Sequence, residues 1–155
     1  MAQDDQQVVF RGGCLCGAVR FESRAAVQLA GHCYCVDCRR SSGTGHCTHA
    51  MVPETAFAMT GDVTFYESAA DSGHRVSRGF CGICGSPLLS KNAAMPGMVF
   101  LRASALDDPE IVKPQMIVYA SRAPSWDRLD PTLPAFATMP EGGADAAVSQ
   151  SSGGS

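Results

Sequence analysis

Apolar and polar residues alternate in short stretches along this chain, and Gly, Pro or Asp residues separate the stretches. Such alternation is typical of half-buried β-strands, whereas no long stretch has the three- and four-residue spacing of an amphipathic helix. The pattern therefore predicts a mainly β protein. Nine strands are predicted, over residues 8–11, 18–22, 27–30, 46–52, 63–67, 75–80, 88–90, 98–103 and 115–120.

The alternation breaks after Asp37 and again at the two ends of the chain. Residues 37–42 lack strand periodicity and precede Gly43, a residue type that commonly ends helices, so a short helical turn is predicted there. Residues 1–7 are predicted to be a flexible N-terminus. Residues 141–155 have almost nothing to bury and are predicted to be a disordered tail. One domain over residues 8–140 accounts for the rest.

Composition narrows the class of protein further. The chain has 155 residues, of which 45% are hydrophobic, and this suits one ordinary packed domain. The formal net charge of -3 and the isoelectric point near 5.7 argue against a nucleic-acid partner, because such proteins present a basic surface. No apolar run is long enough to span a membrane, so no membrane partner is expected.

The polar, acidic N-terminus bears on the state of the cysteines. It lacks the basic and apolar regions of a secretory signal, so we expect a cytoplasmic protein whose thiols are reduced. A disulfide framework, the simplest alternative for an even number of cysteines, would need an oxidising compartment.

Seven of the eight cysteines fall into three close groups. Cysteines two or three residues apart let one short loop present two sulfurs to the same metal ion, and zinc binds thiolates readily. The spacings match neither of the common ferredoxin patterns, so zinc is favoured over an iron–sulfur cluster. The groups are Cys14 with Cys16, the trio of Cys33, Cys35 and Cys38, and Cys81 with Cys84.

Counting the ligands divides these groups between two sites. The first and third groups are flanked by glycines, which permit the sharp turns of a zinc knuckle, and together they supply the four sulfurs of a closed structural site. The middle group supplies three sulfurs and leaves one position to fill. Other pairings remain open to reasoning from the residues. We call the sets the four-cysteine cluster (Cys14, Cys16, Cys81 and Cys84) and the three-cysteine cluster (Cys33, Cys35 and Cys38).

The fourth ligand of the three-cysteine cluster is an open question at this point. His32, His46 or His49 would close it as a structural site. Alternatively, the position receives water or a substrate thiol, whose pKa a zinc ion would lower. Arg39 and Arg40 directly follow the last cysteine, where they would offset thiolate charge or hold a substrate carboxylate. His32 and His46 are also candidates for proton transfer, since histidine titrates near neutral pH.

The cysteine groups and their neighbours resemble the successive signature blocks of the glutathione-dependent formaldehyde-activating enzyme family, also called the CENP-V/GFA domain family. Spaced cysteine blocks in the same order are a specific signal, and the resemblance covers residues 12–140. The matching blocks are Gly13-Cys14-Leu15-Cys16-Gly17 with 19–21, then 32–43, 80–88, 121–126, 133–136 and 139–140.

The resemblance implies an Mss4-like fold of stacked antiparallel sheets stapled by zinc. It implies two zinc ions per chain, a structural ion on the four-cysteine cluster and a catalytic ion on the three-cysteine cluster. The implied reaction adds the thiol of glutathione to formaldehyde, as a carbon–sulfur lyase of the S-(hydroxymethyl)glutathione synthase type. The implied partners are a small thiol such as glutathione and an aldehyde, and the oligomeric state, a homodimer included, is left open. The predicted substrate contacts are Arg39, Arg40, Arg122 and Trp126.

Two other functions are compatible with the same cysteines. One is a zinc-stabilised binding module without turnover, since a fold does not determine a function. The other is a redox enzyme resembling the sulfoxide reductases, which needs a reactive cysteine outside the zinc sites. Only Cys47 is available for that role, and its alternating surroundings predict a buried strand thiol instead.

Overall fold

The computed structural model describes residues 7–70 and 72–140. The predicted tail of residues 141–155, and the predicted flexible N-terminus except for residue 7, lie outside the described residues. The described part contains ten strands and one α-helix, α1 (Val36–Ser42), so the mainly β prediction is confirmed. The strands are β1 (Phe10–Gly13), β2 (Arg20–Ser23), β3 (Leu29–Cys33), β4 (Cys47–Pro53), β5 (Phe57–Thr60), β6 (Val63–Ala69), β7 (Arg75–Cys81), β8 (Pro87–Asn92), β9 (Met98–Arg102) and β10 (Ile117–Val118).

Each of the nine predicted strands overlaps an observed strand, and β5 is the strand that the sequence pattern missed. Its sequence, Phe-Ala-Met-Thr, has half-buried Phe57 and Met59 alternating with exposed residues. One of those exposed residues, Ala58, is apolar, so the sequence of β5 does not show the alternation of apolar and polar residues that identified the other strands. The structure finds no helix, among the residues that it describes, long and apolar enough to cross a membrane.

One compact unit contains the described residues of 7–28 and 50–111. Strands β1, β2 and β5 form an antiparallel three-stranded sheet in which Gly12 faces Phe21. A second run of strands in this unit has the order β4-β9-β8-β7-β6, with antiparallel pairing from β9 to β6. The unit buries an aliphatic core that includes Val19, Leu88 and Leu101.

The other compact unit contains residues 29–49 and the described residues of 112–140, and it holds β3, α1, the start of β4 and β10. Strand β10 pairs with β3 in the parallel direction, with Val118 beside Cys33. This pair is a parallel exception beside the expected antiparallel pairing of the other strands. Parallel neighbours require a long connection, and the length of chain between β3 and β10 provides one. The core of this unit includes Tyr34 and Ile117.

Helix α1 begins and ends at residues that the sequence singles out. Its N-cap is Cys35, whose sulfur accepts a hydrogen bond from the amide of Cys38 at 3.3 Å. Its C-cap is Gly43, which adopts φ 83° in the left-handed region that favours glycine. The predicted helical turn and its end at Gly43 are therefore confirmed.

The turn before β6 depends on a glycine, and we expect Gly61→Ala to destabilise the protein by more than about 2 kcal/mol. Gly61 has φ 98°, and a Cβ atom there would collide with the carbonyl oxygen of Ala18. Gly73 is a matched control, because it has φ 86° but open space around it. Gly73→Ala should cost only the left-handed strain, about 1 kcal/mol. Urea unfolding of both variants measures the difference, and equal losses would show that the close approach does not matter.

Candidate metal centres

The four-cysteine cluster lies in the first compact unit, where two tight turns converge. Cys14 and Cys16 follow β1, while Cys81 ends β7 and Cys84 lies in the turn to β8. All four sulfurs lie within 4.8 Å of one another. The sulfurs of Cys14 and Cys16 are 3.6 Å apart, and those of Cys16 and Cys81 are 3.8 Å apart. Four thiolates at tetrahedral zinc, each at about 2.3 Å from the ion, are separated by about 3.8 Å, so these sulfurs fit such an ion.

Backbone and hydroxyl groups surround these sulfurs with hydrogen-bond donors. The amide of Val19 donates to Cys14 Sγ at 3.2 Å, and the amide of Ile83 donates to Cys81 Sγ at 3.4 Å. A hydrogen bond with the Ser86 hydroxyl, aided by backbone amides, lowers the pKa of Cys84 to about 5. Donors that stabilise ionised sulfur favour metal binding, because the thiolate is the form that a metal binds.

The three-cysteine cluster lies in the second compact unit, at the end of β3 and the start of α1. Its three sulfurs also lie within 4.8 Å of one another. Cys33 and Cys38 are buried and Cys35 is half-buried, so the cluster opens to solvent at Cys35. Hydrogen bonding with the Cys35 thiol and burial raise the pKa of Cys33 to about 12, and the pKa of Cys38 is raised for similar reasons. Thiols this crowded ionise together only beside a cation, and a bound metal ion provides one.

His49 is the histidine that approaches this cluster. Its Nε2 atom lies 3.4 Å from Cys38 Sγ. The group of ligand atoms that lie close to one another nevertheless contains only the three sulfurs. In the part of the chain that the structure describes, no histidine nitrogen lies within 4.8 Å of all three. This arrangement favours a three-sulfur site over the closed site of three cysteines and one histidine.

His32 and His46 belong to a separate polar network in the same unit. His32 Nδ1 lies 2.8 Å from the Thr48 hydroxyl, and His46 Nδ1 lies 2.6 Å from an oxygen of Asp127. The Tyr34 hydroxyl donates to the other Asp127 oxygen at 3.1 Å. The rings of His32 and Tyr34 each lie 4.8 Å from that of His46.

Strand geometry separates this network from the three-cysteine cluster. Successive side chains of a strand point to opposite faces, so His32 and Cys33, the last two residues of β3, point to opposite faces of that strand. The contact of His32 with His46 agrees with that alternation. The contacts of His32 and His46 are therefore with Thr48, Asp127 and each other's rings, and their part in proton transfer stays a prediction.

The predicted substrate-contact residues differ in burial and in the elements that carry them. Each residue of an α-helix turns by about 100°, so Arg39 lies nearer than Arg40 to the side of α1 that Cys38 occupies. Arg39 is half-buried and Arg40 is exposed. The Arg122 guanidinium lies 5.3 Å from the centre of the Tyr119 ring, just after the strand that pairs with β3. Trp126 is 69% exposed, so it does not form the wall of a buried pocket.

Asp127 is the polar residue that sequence reasoning missed altogether. It holds His46 and Tyr34 from a loop after β10, and Gly45 packs so closely against its carboxylate that a Cβ atom there would collide with it. The remote positions of Asp127 and its partners along the chain left no local signal. His49 was named only among three candidate histidines, because its approach to Cys38 depends on strand placement.

The strands and the two cysteine clusters define a mainly β protein with two candidate metal centres. Residues 9–122 match the family described as glutathione-dependent formaldehyde-activating enzyme. The match spans well over half of the chain, and the chain belongs to that family. It includes both cysteine clusters and ends before Trp126.

Among solved structures, the chain resembles the crystal structure of a Rhodobacter sphaeroides protein. The TM-score is 0.50 and the sequence identity is 23%, over 67% of this chain and 91% of the other. At that identity, the likeness concerns the fold alone.

Proposed function

We propose that this protein adds a small thiol, glutathione or a close relative, to formaldehyde or a related aldehyde. The product is a hemithioacetal, the S-hydroxyalkyl derivative of the thiol, and the reaction is formally that of a carbon–sulfur lyase running in reverse. One observation carries the proposal. In a chain of the glutathione-dependent formaldehyde-activating enzyme family, the three-cysteine cluster offers three sulfurs and no fourth ligand atom among the described residues.

The two clusters have different roles in this proposal. The four-cysteine cluster holds a structural zinc ion, and the three-cysteine cluster holds a catalytic one, giving two ions per chain. A zinc ion bound to the three-cysteine cluster would lower the pKa of a thiol that occupies its fourth coordination position. Cys33, Cys35 and Cys38 hold that ion where β3 gives way to α1, and the half-buried Cys35 marks the side open to ligands.

In this proposal, arginines orient the thiol substrate. Glutathione carries two carboxylates, and the planar guanidinium group of arginine binds a carboxylate through two parallel hydrogen bonds. The proposal assigns this role first to Arg39, which follows Cys38 in α1, and to Arg122, which follows β10 along the chain. Arg40 and Trp126 contribute at the exposed periphery.

The reaction needs no oxidant or reductant. The thiolate sulfur forms a bond to the aldehyde carbon, the carbonyl π electrons move to the oxygen, and the oxygen gains a proton that replaces the one lost by the thiol. Solvent water at the open side of the cluster returns that proton, since His32 points to the face of β3 opposite Cys33 and His46 hydrogen-bonds with Asp127. None of the eight cysteines, each within the described residues, forms a disulfide, which suits a reducing compartment such as the cytoplasm.

Exchange NMR with zinc-loaded protein tests the proposal. Formaldehyde and glutathione combine without a catalyst, so the measured quantity is the exchange rate between free and adduct glutathione with and without protein. We expect a rate that increases in proportion to protein concentration, and a smaller increase with a thiol that lacks carboxylates, such as 2-mercaptoethanol. Equal rates with and without protein, across glutathione and other small thiols, would overturn the proposal in favour of a binding module.

A further inference from the structure

We propose that His49 is a positioning residue for the three-cysteine cluster, donating a hydrogen bond from Nε2 to the sulfur of Cys38. The inference rests on the metal-binding part of the proposed function and not on its reaction. It gives His49, a residue of β4, control over how strongly the sulfur of Cys38 binds the metal. The spacing of the cysteines does not indicate this role.

The contact has the geometry of a hydrogen bond to sulfur. Nε2 lies 3.4 Å from Cys38 Sγ, within the range of such bonds, and Cys38 is buried. A metal-bound thiolate has no hydrogen to donate and only accepts hydrogen bonds. The hydrogen must therefore be on Nε2 of His49.

Strand β4 presents His49 to the cluster through its alternation. Thr48, the preceding residue, contacts His32 in the polar network. His49 therefore points to the opposite face of β4, where its ring reaches Cys38 on α1. The side chain of His49 is half-buried, and a contact that water does not fully screen is stronger than an exposed one.

Distance alone does not distinguish a hydrogen-bond donor from a metal ligand. A nitrogen and a sulfur bound to the same tetrahedral zinc ion are separated by about 3.6 Å, close to the observed contact. A fourth ligand must approach all three sulfurs in this way. Among the described residues, the ligand atoms within 4.8 Å of one another are those of Cys33, Cys35 and Cys38 only, so His49 lies beside the site and not in it.

The chemical effect follows from the charge of the site. Three thiolates around a divalent ion leave one negative charge, and a donor to one sulfur stabilises that charge. Because the metal binds the ionised sulfur, loss of the donor weakens metal binding. Residues that support metal ligands in this way typically change metal affinity or activity by about 10- to 100-fold when they are replaced.

Two substitutions separate the hydrogen bond from the packing of the ring. His49→Phe keeps a flat ring and removes the donor, whereas His49→Gln keeps an N–H donor. Zinc affinity of the weaker site, measured by competition with a chromogenic chelator, should fall about 10- to 100-fold in His49→Phe and much less in His49→Gln. With Co²⁺ in the site, the sulfur-to-metal charge-transfer band should move to longer wavelength in His49→Phe, because the thiolate becomes more electron-rich.

Unchanged zinc affinity and an unchanged cobalt spectrum in His49→Phe would overturn the inference. A second measurement needs no variant: nitrogen NMR of the zinc-loaded wild-type protein should show a hydrogen on His49 Nε2. A metal-bound Nε2 would make His49 a ligand and would also overturn it. None of these measurements requires turnover. If the protein does not accelerate thiol addition, the role of His49 can still be tested. If His49 has no such role, the exchange experiment still tests the proposed reaction.

Discussion

Replacing Cys81 with serine should unfold the protein. Cys81 is fully buried at the end of β7, and its sulfur approaches that of Cys16 in the turn after β1. A structural zinc site of this kind contributes on the order of 10 kcal/mol or more of binding free energy. A domain is stable by only about 5 to 15 kcal/mol, so loss of this ion removes most or all of its stability.

Far-UV circular dichroism and urea unfolding measure the effect of Cys81→Ser, and zinc analysis of the purified protein accompanies them. Cys47→Ser is the matched control, because Cys47 is also a buried cysteine on a strand, forms no disulfide and lies outside both clusters. The control should retain both zinc ions and lose about 1 to 3 kcal/mol for burying a hydroxyl. A folded Cys81→Ser protein with stability near that of the control would show that the four-cysteine cluster does not support the fold.

Replacing Cys35 with serine should abolish catalysis and leave the fold intact. Cys35 is the N-cap of α1, and serine is among the preferred residues at that position because its hydroxyl accepts the same amide hydrogen bond. The helix therefore keeps its cap while the metal loses one of three sulfurs. We expect zinc content to fall from two ions to about one per chain.

The exchange rate of glutathione with Cys35→Ser should equal the rate without protein, while circular dichroism matches that of the wild type. These two measurements separate loss of the ion from loss of the fold. Retention of two zinc ions, or of full rate acceleration, would contradict the assignment of Cys35 as a ligand of the catalytic site. A variant that unfolds would show instead that the three-cysteine cluster is also structural.

Local sequence was sufficient for the features that depend on neighbouring residues. Alternation located nine of the ten strands in the described residues, and Gly43 marked the end of α1 because its left-handed conformation is intrinsic to glycine. Ligand counting divided the cysteines into a set of four and a set of three, and the structure brings each set together. Tetrahedral coordination makes such counting informative before any fold is known.

The remaining features depend on which strands become neighbours. The parallel pairing of β10 with β3 follows from the path of the chain and not from the residues of β10. The contact of His49 with Cys38 and that of His46 with Asp127 join residues on different elements. Periodicity specifies which way a side chain points, but it does not specify what lies opposite.

Strand β3 ends in two residues on its opposite faces, with Cys33 in the three-cysteine cluster and His32 against Thr48 and His46. Inserting or deleting one residue in β3 would exchange the two faces, since side-chain direction alternates at every position. The sulfur would then lie on the side of Thr48 and His46, and the imidazole on the side of the other two cysteines. The length of this strand is therefore more tightly constrained than the identity of most of its residues. Engineered insertions should be placed outside β3.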